Sequence, residues 1–178
     1  MRKFILAAGA ALVLATPAAA QDATGTVTIG GTVAGRCMFT VGNDAIIIPE
    51  LAQTGTSATA GRLDPATVNG QSRTLRGWCN NAAAGMTVEA FPLLNAAATA
   101  TGFTNRVNYT ATATANGFSA NDTSLVAGLG STVSVGMFTG DILVGLSDAS
   151  APADALLVAG AYTGRVEVTL TPTFTPPA

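Results

Sequence analysis

The clearest pattern along the chain is a two-residue alternation of apolar and polar positions. It runs through residues 26–29, 107–113 and 166–170. Alternation of this kind places neighbouring side chains on opposite faces of a β-strand, whereas a helix repeats its apolar positions every three to four residues. No comparable window of the sequence has the helical spacing. The pattern therefore predicts strands in these segments.

Shorter apolar runs bounded by Gly, Asn, Asp or Pro predict further strands. They lie at residues 46–48, 75–79, 86–91, 132–138 and 142–146. About eight short strands in one chain, with no amphipathic helix between them, favour antiparallel pairing in a sandwich over a parallel sheet. The stretches 52–60 and 95–101 are low-complexity runs of Ala, Thr and Gly, which we interpret as connections. We therefore expect one all-β domain built as an antiparallel β-sandwich.

The start of the chain has the features of a secretory signal peptide. Arg2 and Lys3 precede an apolar stretch at 4–16, and three alanines at 18–20 form a signal-peptidase cleavage pattern. The apolar stretch is shorter than the roughly 20 residues needed to cross a bilayer. We therefore predict that residues 1–20 are a signal peptide, that the protein is exported through the periplasm, and that it does not insert into the membrane.

Two cysteines, Cys37 and Cys79, follow the predicted cleavage site. In an oxidising compartment an even number of cysteines without any histidine favours a disulfide over a metal site. We expect a Cys37–Cys79 disulfide and no bound metal. Two buried free thiols are the alternative.

Charge and residue content narrow the possible partners and reactions. Of the eight basic residues two lie in the predicted signal peptide, which leaves six arginines against ten acids and no basic cluster for nucleic acid. The absence of histidine excludes Ser-His-Asp and Cys-His nucleophiles and any His-ligated metal. We expect no nucleic-acid partner and no cofactor.

A carboxylate pair is the one hydrolytic arrangement left open. Asp141, Asp148 and Asp154 lie near one another in sequence, and glycosidases use two such groups. However, Gly140-Asp141 and Ser147-Asp148-Ala149 are typical of turns, where Asp accepts backbone hydrogen bonds. The turn interpretation is preferred, and we do not expect an enzyme.

Both ends of the predicted mature chain resemble those of chaperone–usher pilins. Residues 25–33 read Gly-Thr-Val-Thr-Ile-Gly-Gly-Thr-Val and precede Cys37, as the alternating N-terminal extension of that family precedes its first cysteine. Cys79 follows at the family's spacing of about forty residues. Residues 160–170 are similar to the family's final strand, which begins with Gly-x-Tyr. The family usually has an aromatic residue next to last, whereas this chain continues through Phe174 to Ala178.

The resemblance implies an immunoglobulin-like sandwich that lacks its last strand. Residues 1–20 would be the signal peptide, 21–34 an N-terminal donor-strand extension or first strand, and 35–178 the pilin-like domain. The donor residues would be Val27, Ile29, Gly31 and Val33. The residues of the final strand that face the groove and contact a chaperone would be Val166, Val168, Leu170 and Phe174.

The implied function is a structural subunit of a surface pilus or fimbria with a role in adhesion. Its partners would be neighbouring copies or related pilins, a periplasmic chaperone and an outer-membrane usher. The alternative is a self-contained secreted β-sandwich adhesin that binds glycan or protein, in which 26–33 is the first strand of its own sheet. Trp78, beside Cys79, would lie on the opposite strand face, either at an interface or buried locally.

Overall fold

A computed structural model describes residues 22–173. The described chain divides after Val33 into an N-terminal segment, 22–33, and a domain, 34–173. The N-terminal segment has no regular secondary structure, and its side chains are exposed. The predicted signal peptide, 1–20, and Phe174 lie outside the described residues.

The described part of the domain contains ten strands and one short helix. In chain order they are β1 Cys37–Val41, α1 Pro65–Val68, β2 Ser72–Cys79, β3 Gly85–Leu94, β4 Phe103–Thr104, β5 Arg106–Ala115, β6 Phe118–Thr123, β7 Val133–Ser134, β8 Phe138–Ser150, β9 Leu156–Leu157 and β10 Thr163–Thr171. The protein is all-β, as the alternation predicts.

The main sheet is antiparallel throughout and has the strand order β1-β2-β8-β5-β3-β10. β6 pairs with β5, and β7 pairs with β3. β3 and β5 share only two register pairs, Leu93–Val107 and Leu94–Arg106, so the sheet folds over itself at this junction. The result is a nearly closed sandwich. β4 and β9 form a small parallel pair beside it.

Inward side chains of the central strands form a tightly packed core. Met86, Val88 and Val107 are fully buried, as are several alanines on the inner face of β5. Alanine at alternate positions of β5 lets the two layers approach closely around this strand, since no large side chain separates them. The Thr110, Thr112 and Thr114 side chains alternate with these alanines, are half-buried, and lie on the outer face.

Five predicted strands are confirmed: 75–79, 86–91, 107–113, 142–146 and 166–170 lie within β2, β3, β5, β8 and β10. The prediction for 132–138 is largely wrong, because only β7 and the first residue of β8 fall there.

Two predicted strands, 26–29 and 46–48, are wrong because neither segment has a ladder partner among the described residues. A β-favouring sequence makes no strand without hydrogen-bonding to another strand.

Candidate functional site

The two edge strands of the sheet are each hydrogen-bonded to a neighbouring strand on one side only. Within residues 22–173, β1 pairs only with β2, and β10 pairs only with β3. Because six strands alternate in direction along the path, β1 and β10 run antiparallel to each other. A strand inserted between them would be parallel to one edge and antiparallel to the other.

An apolar groove of about 710 Å³ lies between these edges. One wall is β10 at residues 164–169, and the other is Phe39 with the irregular segment 42–48. The floor consists of side chains from β2, β3, β5 and β8, namely Leu75, Leu93, Tyr109, Val144 and Leu146.

Burial along β10 shows that the core is incompletely covered at the groove. Val166 and Val168 face inward beside Ala90 and Val88 of β3, their register partners. The β3 side chains are buried, whereas those of β10 are half-buried. Half-exposed apolar side chains are stabilised when another apolar surface covers them.

The groove lining along β10 ends at Thr169, and the next residue, Leu170, lies beside Gly77 of β2 instead. A Cβ built on Gly77 of β2 would lie 3.3 Å from Leu170 Cδ1 and 2.9 Å from the Met38 carbonyl oxygen. Glycine at position 77 thus lets β1, β2 and Leu170 pack together. The open part of the groove lies beside residues 164–169.

A second cavity of about 540 Å³ lies next to the groove. The two cavities share Ile46, Ile48 and Leu93 as lining residues. Tyr162 lines the second cavity, and its hydroxyl lies 3.0 Å from the Thr104 carbonyl oxygen. Burial raises the pKa of Tyr162 above its usual value.

Tyr109 on the groove floor fixes the rim of β10. Its hydroxyl lies 2.6 Å from the Phe91 carbonyl oxygen and 2.9 Å from that of Arg165, so it can donate to either strand edge. This bond sits at an irregularity between Thr163 and Arg165 of β10. A Cβ at Gly164 would lie 2.8 Å from the Pro92 carbonyl oxygen, so glycine permits the close approach. Burial raises the pKa of Tyr109 to about 12, although the Arg165 charge opposes the shift.

Charges at the rim are paired within each wall. Arg165 Nε lies 2.5 Å from Glu167 Oε1, and the Arg165 guanidinium lies 3.6 Å above the Phe91 ring. At the other wall Asp44 Oδ1 lies 3.7 Å from Nε of Arg73, a residue of β2. Exposed pairs of this kind contribute little stability, but they leave the rim nearly neutral. An uncharged apolar occupant suits such a groove better than an ionic ligand.

The predicted disulfide is confirmed. Cys37 and Cys79 are register partners of β1 and β2 and are bonded to each other. The bond attaches the short edge strand β1, and so one groove wall, to the sheet. Trp78, the neighbour of Cys79, is half-buried opposite Met38.

The predicted donor residues carry apolar side chains with no partner in the described chain. Val27, Ile29 and Val33 are 85%, 91% and 88% exposed, and a Cβ at Gly31 would meet no atom within 4 Å. As a strand, residues 27–33 would span about 23 Å at roughly 3.3 Å per residue. The six β10 residues along the groove would span about 20 Å by the same rise. Segment and groove therefore match in length as well as in polarity.

No protein-family model matches the chain, and neither a search of curated proteins nor a search of solved structures gives a match. Any functional assignment therefore rests on this chain's own residues and geometry. The described residues form no helix that is long and apolar enough to cross a membrane.

Asp141, Asp148 and Asp154, two of which could have formed a catalytic pair, each contact a different residue. Asp141 lies in β8 with its Oδ1 2.8 Å from Arg76 Nε, and Asp154 pairs with Arg62. The Asp148 carboxylate accepts a hydrogen bond from the Ser147 hydroxyl. Both expected turns are wrong, because Asp141 is paired within β8 and Asp148, with φ 52°, lies at an irregularity of the same strand.

Of the final-strand residues that the resemblance implies, Val166 and Val168 line the groove, Leu170 is not among its lining residues, and Phe174 lies outside the described residues. Leu75, Val144 and Leu146 fall within confirmed strands, yet nothing in their local pattern distinguishes groove residues from core residues. The run of three isoleucines at 46–48 was a usable signal, although it predicts a strand and the structure has an irregular wall there.

Proposed function

We propose that this protein is a structural subunit of a surface pilus or fimbria that polymerises non-covalently by donor-strand exchange and has a role in adhesion. The observation that carries the proposal is the apolar groove between the free edges of β1 and β10. The same chain contains an exposed alternating segment of matching length and polarity. β-augmentation joins two such parts through backbone hydrogen bonds and side chains seated in pockets.

In this proposal the domain is an immunoglobulin-like sandwich that lacks its last strand, and a neighbouring copy supplies it. Val27, Ile29 and Val33 enter the groove, and Gly31 lies where the backbones approach most closely. Val166 and Val168 provide the β10 wall, and Leu170 lies further along the same strand. Full burial of each donor Val or Ile contributes about 1.5–3 kcal/mol before the entropy of ordering the segment is subtracted.

An exposed apolar edge is prone to uncontrolled pairing, so an unassembled subunit needs a temporary cover. A periplasmic chaperone that lends its own strand fills this role, and an outer-membrane usher brings subunits together. Pilin copies or related pilins are thus the final partners. The subunit is placed at the cell surface after export through the periplasm.

The experiment uses the chain from residue 21 onwards and a synthetic peptide that spans 22–33. The chain is unfolded, refolded with and without excess peptide, and followed by melting temperature and light scattering. We expect the peptide to raise the melting temperature and suppress self-association, because it occupies the groove. The matched control peptide carries Ile29→Asp and should do neither. A wild-type chain that remains monomeric and is unaffected by the peptide would contradict the proposal and favour a self-contained adhesin.

A further inference from the structure

The side chain of Asn80 binds the short segment that connects residues 22–33 to β1. Its Oδ1 accepts from the Arg36 N–H at 2.6 Å, and its Nδ2 donates to the Ala34 carbonyl at 3.1 Å. The Asn80 backbone N–H also donates to the Arg36 carbonyl at 3.0 Å. One residue therefore makes three hydrogen bonds to this connecting segment.

These bonds have the geometry of a continued β-ladder. Ala34 and Arg36 are two residues apart and bind Asn80 from the same side of the chain, as alternate residues of an extended strand do. The Cys37–Cys79 disulfide holds the adjacent register pair. Asn80 thus uses its side chain to continue β2 by one step, although the regular ladder ends at Cys79.

An extended connection has a consequence for where residues 22–33 can pair. To enter the gap beside β1 of its own domain, the segment would have to reverse direction within 34–36, as in a tight hairpin. A two-residue hairpin needs positive φ at its turn, and Gly35 has no positive φ in this structure. Reversal would also break the Asn80 side-chain bonds to Ala34 and Arg36.

We propose that Asn80 is a positioning residue that keeps 34–36 extended, so that the donor segment is presented to a second copy instead of folding back into its own groove. The inference rests on the proposed function. Its occupant is defined: residues 24–33 of another copy of this chain. Asn80 contacts neither the groove nor the donor residues and acts through the backbone of Ala34 and Arg36.

The test compares wild type with Asn80→Ala, using Asn121→Ala as the control. Asn121 is an exposed asparagine of β6, paired with Thr112 across the β5–β6 hairpin. Each chain is refolded over a hundredfold range of concentration and separated into monomer and oligomer. Hydrogen exchange then measures protection of 24–33 in each fraction. Asn80→Asp, which retains an acceptor for Arg36 but loses the donor to Ala34, should give an intermediate result.

For wild type and Asn121→Ala we expect 24–33 to be protected in oligomers and unprotected in monomers. For Asn80→Ala we expect a several-fold larger monomer fraction that does not fall with concentration, and protection of 24–33 within that monomer. If wild-type oligomers protect 24–33 but Asn80→Ala matches wild type, the Asn80 proposal is wrong and the pilin proposal stands. If 24–33 is unprotected in every wild-type fraction, donor-strand exchange itself is wrong.

Discussion

Cys37 and Cys79 lie directly opposite each other in the β1–β2 ladder, and their disulfide joins the first strand of the domain to the second. β1 has five residues and one described ladder partner, so few backbone hydrogen bonds hold it. The covalent bond therefore preserves the edge that forms one wall of the groove.

Replacement of both cysteines by serine should lower the free energy of unfolding by about 2–5 kcal/mol, the usual range for a small secreted domain. Urea denaturation of the double variant and of wild type measures the difference. Reduction of the wild-type protein is the matched control and should reproduce the loss. A double variant as stable as oxidised wild type, or intact-mass data showing two free thiols in wild type, would contradict this prediction.

Substitution of Val168 by Asp should impair assembly more than folding. The Val168 side chain is half-buried at the groove wall, so a carboxylate there remains partly hydrated in the free subunit but not beneath a docked strand. Burial of an unpaired charge is strongly unfavourable, and each 1.4 kcal/mol of lost binding energy weakens affinity about tenfold.

Thr163→Asp is the control for that experiment, because Thr163 is exposed in the same strand and does not line the groove. We expect Val168→Asp to weaken binding of the 22–33 peptide at least tenfold, measured by fluorescence anisotropy, whereas Thr163→Asp binds normally. Equal affinities for the two variants would show that the groove wall is not the binding surface.

The all-β antiparallel architecture could be predicted from the sequence because the central strands each have one buried face. The alternation in β5 and β10 is a direct result of that arrangement. The alternation does not predict strands that stay largely exposed, and it does not distinguish strands from apolar residues outside them. β6 is largely polar, with half of its residues exposed, and the pattern does not predict it. Ile46 and Ile48 are apolar residues that line the groove without belonging to a strand.

The groove itself could be predicted only on its β10 side. Tyr109 and Val144 are 35 residues apart in sequence and meet at the groove floor through the order of strands β8 and β5. A local apolar pattern does not encode which strands become neighbours. Asn80 was not singled out either, because its role depends on the backbone geometry of 34–36.

Stability should fall in alkaline solution as Tyr109 loses its proton. An unfolded tyrosine titrates near pH 10, whereas the folded pKa of Tyr109 is about 12. Its contribution is fully present below pH 10 and is lost as the pH rises towards 12, because the unfolded chain binds fewer protons in that range. Urea midpoints measured between pH 8 and 12 should show this decline.

Tyr109→Phe should be less stable than wild type at pH 8, because two carbonyl groups lose their hydroxyl partner. The urea midpoint of this variant should also fall less than that of wild type between pH 10 and 12. Ionisation of Tyr162 should account for part of the decline that remains. Parallel pH profiles for the two proteins would refute the role assigned to Tyr109.

Gly130→Ala should destabilise the loop that is hydrogen-bonded to β3 at Val88. The Gly130 N–H donates to the Val88 carbonyl at 2.9 Å, and a Cβ at position 130 would lie 2.3 Å from the Asn121 carbonyl oxygen. Overpacking against backbone costs about 1–3 kcal/mol. Gly145→Ala is the control, because a Cβ there meets nothing within 4 Å. Thermal melts should separate the two variants, and a Gly130→Ala protein that melts with wild type would contradict the contact.

The most specific prediction for the pilin proposal concerns Gly31. Valine has a higher β-strand propensity than glycine, so Gly31→Val should stabilise any strand that has room for the side chain. A donor strand that approaches the groove backbone closely at this position has no such room, and the valine should block assembly. Because Gly31 has no neighbour within 4 Å in the described chain, the free subunit should fold and melt as wild type does.

Gly25→Val is the matched control, since Gly25 precedes the four residues proposed to enter the groove and also has no neighbour within 4 Å. The measurement is filament yield by electron microscopy, with a chaperone and usher supplied, beside the melting temperature of the monomer. We expect filaments from wild type and Gly25→Val and none from Gly31→Val, with equal melting temperatures. If Gly31→Val instead lowers the melting temperature of the monomer, residues 24–33 belong to an intramolecular strand in solution. Normal filaments from Gly31→Val would show that close backbone approach at Gly31 is not required for assembly.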